Sequence, residues 1–90
     1  MYEFRLYVVG RTPRSEKAVE TLKAILSHSI RNGHDLEVID LMANPDEAER
    51  DGIIATPTLV KASPPPVRKV IGDFSNAEKV AKILGLGEEP

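Results

Sequence analysis

Thr12 and Ser15 stand at the spacing of a Cys-x-x-Cys pair, at a point where an apolar β-like run gives way to a helical pattern. In a redox pair at such a junction, the amides and dipole of the helix start stabilise a thiolate. Hydroxyls cannot exchange disulfides, and the sequence contains no cysteine. Dithiol redox chemistry, thiolate metal sites, iron–sulfur clusters and a disulfide framework are therefore excluded for this chain alone. Thr12 and Ser15 are left with two uses: to hydrogen-bond a bound thiolate such as that of glutathione, or to cap the helix. Capping explains both residues more simply. His28 and His34 have no acid nearby at a metal-ligand spacing and read as surface residues. Asp46, Glu47, Glu49 and Asp51 lack the glycine and spacing of a calcium loop and read as a solvated helix. No metal or cofactor is expected. Arg68-Lys69 is too small for a nucleic-acid patch, and Tyr2, Phe4, Tyr7 and Phe74 are the only aromatic residues available for base stacking.

Charge is uneven along the 90 residues, although the net value is only −2. Residues 35–51 carry one basic and seven acidic side chains, between two mildly basic flanks. That acidic segment is either a solvated helix and turn or a docking surface for a basic partner. No apolar run approaches a membrane span, and Met1-Tyr2-Glu3-Phe4-Arg5 lacks the order of a signal peptide. A soluble, cytoplasmic protein with no membrane or nucleic-acid partner is expected.

These residues must be positioned by a small number of elements. Alternation over residues 3–9 predicts a strand bounded by Gly10, and Thr12-Pro13 then starts a helix whose apolar stripe is Ala18, Val19, Leu22, Ile25, Leu26 and Ile30. Asn32-Gly33 is the predicted stop. Leu36, Val38 and Ile39 mark a second strand, and Asn44-Pro45 opens a short second helix, with Glu47 as a capping-box acid, that ends by Gly52. Residues 58–61 and 67–71 read as a hairpin around Pro64-Pro65-Pro66. Ser75-Asn76-Ala77-Glu78 is a second capping box, before a last helix stopped by Gly85. Residues 87–90 read as a frayed polar tail. The order β-α-β-α-β-β-α over a single domain, residues 1–90, predicts an α/β fold. Its four-stranded mixed sheet would carry helices on both faces, a thioredoxin-like arrangement. In that setting Thr56-Pro57, just before the third strand, resembles a cis-proline loop. The clustered X-Pro bonds at 64–66 are slow to isomerise and could separate two chain arrangements.

Leu6-Tyr7-Val8-Val9-Gly10, Thr12-Pro13, Val38-Ile39-Asp40-Leu41, Asn44-Pro45, Ile54-Ala55-Thr56-Pro57-Thr58-Leu59 and Pro64-Pro65-Pro66-Val67-Arg68-Lys69-Val70-Ile71-Gly72-Asp73 together resemble the KaiB family over nearly the whole chain. The resemblance implies a non-enzymatic circadian clock adaptor that docks on the KaiC ATPase ring, displaces the kinase SasA and recruits KaiA. It also implies a metamorphic chain, in which a tetramer-forming ground-state fold with a rearranged C-terminal half coexists with a binding-competent thioredoxin-like monomer. Docking maps by position to Lys17, Asn44, Pro45, Asp46, Glu47, Arg50 and Gly52, and switching to Pro57, Pro64, Pro65, Pro66 and Ile83. Three departures bear on this. The acidic tail is reduced to Glu88-Glu89-Pro90, Ile83 stands where clock proteins tend to have glycine, and Gly52 stands where they usually have lysine. A helix former at position 83 supports the last helix, so the monomer is the expected resting state. Two alternatives remain: a glutathione-binding thioredoxin-like protein, and a KaiB paralogue with a non-clock partner.

Overall fold

In the computed structural model, which describes residues 2–30, 33–72 and 74–86, the strand β1 (Tyr2–Val8) occupies an inner position in a four-stranded sheet. β2 (His34–Asp40) pairs parallel to one side of it, with Leu6 opposite Val38. β3 (Thr58–Ser63) pairs antiparallel on the other side, with Leu6 opposite Leu59, and β4 (Arg68–Ile71) completes the order β2-β1-β3-β4. The parallel pair requires a crossover, which α1 (Pro13–Ser29) supplies, while the antiparallel pair β3–β4 needs only the proline turn. α2 (Pro45–Asp51) and α3 (Ala77–Leu84) complete the predicted element order and mixed sheet.

Side-chain alternation divides the core in two. Phe4, Leu6 and Val8 of β1 face Ala18, Leu22, Ile25 and Leu26 of α1 and Val80 and Leu84 of α3, with Leu59 and Val70 filling in from the neighbouring strands. On the opposite face Tyr7, Ile39 and Val60 meet Ala48 of α2 in a much smaller cluster. α2 is thus the less supported helix.

Thr12 caps α1 as expected. Its side chain accepts from the Ser15 amide at 3.1 Å, and the Thr12 amide donates to Ser15 Oγ at 2.9 Å, forming a reciprocal capping box. Three local expectations need correction. First, α1 stops at Ser29 rather than at Asn32-Gly33. Ile30 turns extended and is buried, so core packing ends the helix before the glycine is reached. Asn32 lies outside the described residues, as do Asp73 and the tail 87–90. Second, Asn44 precedes α2 without a side-chain cap, and no box with Glu47 forms. The Asn44 amide instead donates to the Asp40 carbonyl at 3.0 Å, and Asp40 Oδ1 accepts from the Met42 amide at 2.9 Å, so Asp40 organises the turn. Third, α3 is capped by Asn76, whose side chain accepts from the Lys79 amide at 3.0 Å, one residue later than the Ser75 box. The strands also differ from their predicted limits: β1 runs Tyr2–Val8, and β3 extends to Ser63.

Leu26 is fully buried between α1 and the sheet. Leu26→Ala is expected to lower unfolding stability by about 2–5 kcal/mol in urea titrations, whereas Thr12→Ala should cost about 1 kcal/mol through the lost cap. A Leu26→Ala effect below that of the cap variant would contradict the assigned core.

Candidate functional site

β1 alternation sends Arg5 and Tyr7 to the face opposite Leu6, beneath the last turn of α2. Tyr7 is completely buried, so its hydroxyl needs a partner inside the protein. It donates to Asp51 Oδ2 at 2.5 Å, with the Glu47 carbonyl at 3.2 Å as a second acceptor. Arg5 grips the same carboxylate with both arms of its fork, Nε to Oδ2 at 2.8 Å and Nη2 to Oδ1 at 3.0 Å. These bonds hold α2 to β1 across the sheet face.

The charges respond accordingly. The Arg5 hydrogen bond, and then that of Tyr7, hold the Asp51 carboxyl below its usual range against the opposing effect of burial, and Lys69 adds a smaller Coulombic pull. Burial and the bond to Asp51 push the Tyr7 hydroxyl up to about 12. Arg5 is held still more firmly protonated by its bond to Asp51. Asp51 is therefore a structural anion rather than part of a solvated acidic helix. Its one sequence signal is a tyrosine that shares the parity of an arginine on an inner strand.

The outward side of α2 carries most of the predicted docking residues. Pro45, Asp46, Arg50 and Gly52 are exposed, and Asn44 and Glu47 are half-buried. All six lie on one short helix and its caps. Lys17, also exposed, sits on α1 against the other face of the sheet, so the fold does not bring it together with this group. Gly52 is the left-handed C-cap of α2 at φ 67°, donating to the carbonyls of Ala48 and Glu49. A Cβ placed there would stand 3.2 Å from Lys69 Nζ. β4 thus brings a cation beside position 52. Beside it Ile54 is 88% exposed, and Met42 in the turn before α2 is 75% exposed. Neither was singled out from the sequence, where isolated apolar residues near turns carry no periodicity.

Elsewhere, Val8, Val9, Thr12, Arg14, Ser15, Thr56 and Pro57 shape a cleft of about 280 Å³ at the start of α1. The Thr56–Pro57 bond is cis, as are Ser63–Pro64 and Pro65–Pro66. Ser15 Oγ lies 2.9 Å from the Gly10 carbonyl and 3.0 Å from that of Thr12, so its hydroxyl is engaged locally along with that of Thr12. Among the described residues no group of three or more His, Asp or Glu side chains is placed to hold a metal ion, and no helix is long and apolar enough to cross a membrane. The residues assigned to switching are dispersed: Pro57 is buried at the start of β3, Pro64 to Pro66 are exposed in the β3–β4 turn, and Ile83 is on α3.

A KaiB domain model matches residues 5–86. The circadian clock oscillator protein KaiB of Gloeothece citriformis is 53% identical over 85 residues, covering 94% of this chain and 78% of the relative. The chain belongs to the KaiB family. The KaiB of Thermosynechococcus vestitus is 52% identical, with 94% and 77% covered. Among solved structures, the N-terminal domain of Synechococcus elongatus SasA superposes on this KaiB-family chain with a TM-score of 0.77 at 26% identity, over 99% of this chain and 88% of that domain. Mitochondrial thioredoxin 3 from Saccharomyces cerevisiae gives 0.72 at 18% identity, over 94% and 78%. The fold is therefore thioredoxin-like.

Because folding lowers the Asp51 carboxyl below its ordinary 3.8, the stability it contributes is present above that value and is lost as pH falls through the folded-state value. Asp51→Asn is expected to be less stable than the parent at neutral pH, and the gap should narrow below about pH 4; a gap independent of pH would contradict the ion pair. In a Tyr2→Phe background the remaining tyrosinate absorbance should rise near pH 12 if the chain is still folded, and a midpoint near pH 10 would place Tyr7 in solvent.

Proposed function

We propose that this chain is a non-enzymatic, cytoplasmic KaiB-like clock adaptor: it docks on the ring of a KaiC-like ATPase, competes with a SasA-like kinase and recruits KaiA. The observation that carries this reading is a combination. By sequence the chain is KaiB-like over 94% of its length, yet its shape matches the SasA N-terminal domain with a TM-score of 0.77. Two proteins of similar shape can occupy one site in turn and so exclude each other from it. A KaiB-family chain in the SasA-like shape meets that condition.

Docking runs through α2 and its caps, Asn44 to Gly52, with Lys17 on α1 as a separate contact. Asp46, Glu47, Glu49 and Arg50 offer mixed charge, exposed Ile54 offers an apolar anchor, and Lys69 supplies a cation beside Gly52. Rim charges of this kind set orientation and encounter rate, while a desolvated apolar residue contributes more to residence.

The thioredoxin-like monomer is the resting form, in equilibrium with a tetramer-forming packing of the C-terminal half that differs by a few kcal/mol. Two features of that half bear on the balance. Phe74 is buried with φ 58°, a left-handed conformation that costs an aromatic residue about 1–3 kcal/mol and that a rearranged chain is free to relieve. Opposing it, Ile83 lies within α3, where a glycine would weaken the helix by roughly 0.5–1 kcal/mol.

Glu47→Lys/Arg50→Glu is expected to weaken capture by a KaiC-like ring by on the order of tenfold or more without changing the circular dichroism spectrum. Undiminished capture would move the interface off α2. By size-exclusion light scattering at micromolar concentration the parent should elute as a monomer, and Ile83→Gly should increase the tetramer fraction. A tetrameric parent would reverse the assigned resting state.

A further inference from the structure

β4 is an edge strand, so one row of its backbone N–H and C=O groups faces no strand of this sheet. A groove of about 360 Å³ runs beside it, walled by Lys69, Val70 and Ile71 on one side and by Lys79, Val80 and Ile83 of α3 on the other. Ile83, 36% exposed, leaves apolar surface open in the groove, and Ile71, 56% exposed, adds apolar surface beside Lys69 on the other face of the same edge. Arg68 and Lys69 are both exposed on β4, and Lys79 and Lys82 on α3, while Glu78 lines the separate cleft between α3 and α1. Lys61 is the telling residue. It stands opposite Arg68 on β3, is only 5% exposed, and among the described residues has no hydrogen-bond or ion-pair partner. Its stem is covered by the sheet while its ammonium still reaches solvent at the rim, where a partner's carboxylate can meet it. Partial desolvation, and then repulsion from Arg68, lowers the Lys61 pKa.

We propose that the β4 edge accepts an extended acidic segment of a partner protein as a fifth strand, with acidic side chains opposite Arg68 and Lys69 and apolar ones opposite Val70 and Ile71. Strand geometry sets this pattern. The residue opposite Arg68 lies on the same sheet face as Lys61 and brings it a carboxylate, and the residue opposite Val70 enters the groove against Val80 and Ile83. The other two cover Lys69 and Ile71 on the α2 side. A nucleic acid would satisfy the cations but would neither pair with the strand edge nor fill the apolar groove. The same cations oppose pairing of two β4 edges, so the charge that blocks self-association selects an acidic partner. This edge shares Lys69 with the α2 docking face, and the experiment separates the two through Arg68, Ile71 and Lys79, which that face does not use.

The experiment is an amide NMR titration of the full chain with the synthetic peptide Glu-Glu-Val-Val-Glu-Glu-Val-Val, alongside polyglutamate and an oligothymidylate as competing probes. The expected result is saturable shifts along Arg68–Gly72 and at Lys79 and Ile83, with slowed exchange of β4 amides. Arg68→Glu/Lys79→Glu should weaken peptide binding by on the order of tenfold. Ile71→Thr keeps every charge and should weaken the peptide but not polyglutamate, which keeps the test decisive if the double variant misfolds. Shifts confined to α2 or β2, equal binding of polyglutamate, tighter binding of oligothymidylate, or no saturation at millimolar peptide would each overturn the proposal.

Discussion

A hydroxyl buried in the middle of a sheet has to be satisfied from within, and here one carboxylate meets that need while also pairing with a guanidinium on the same strand. Asp51 is the last residue of α2, so this obligation fixes where the helix ends relative to β1. A helix of seven residues burying little beyond Ala48 would be marginal by itself. Held at its last turn, it presents its acidic and mixed-charge side outward in one defined orientation. The proposed α2 docking surface therefore depends on the Arg5–Tyr7–Asp51 node.

The two faces of the sheet carry different duties. The α1/α3 side holds most of the apolar core and provides most of the stability, whereas the α2 side is thin and polar. Charges on the thin side can change without disturbing the main core. Lys69 illustrates this: a cation rooted on β4 stands over Gly52, so charge at the end of α2 need not be encoded on α2 itself.

Much of this architecture was legible in the sequence because its signals are local. Alternation around Leu6, the Thr12-Pro13 start, the three-four spacing from Ala18 to Leu26 and the glycine stops at positions 52 and 85 each act within a few residues. The failures share a cause. Ile30 ends α1 because its side chain packs into the core, Asn44 forgoes its cap because Asp40 reorganises the turn, and Asp51 leaves solvent because Arg5 and Tyr7 await it across the sheet. In each case a partner distant in sequence, or the turn as a whole, outweighs the local preference. The proposed docking segment is marked by its run of acids, but the division of those acids between an outward surface and an inward anchor requires the fold.

The central claim is that residues 58–71 form a hairpin on β1, leaving α2 displayed on the opposite face from α1 and α3. Interstrand nuclear Overhauser effects in the full chain at micromolar concentration test it most directly. The account predicts cross-strand contacts joining Leu6 to Leu59 and Leu59 to Val70 as the dominant set. Their absence, with residues 58–71 paired to other segments, would contradict it.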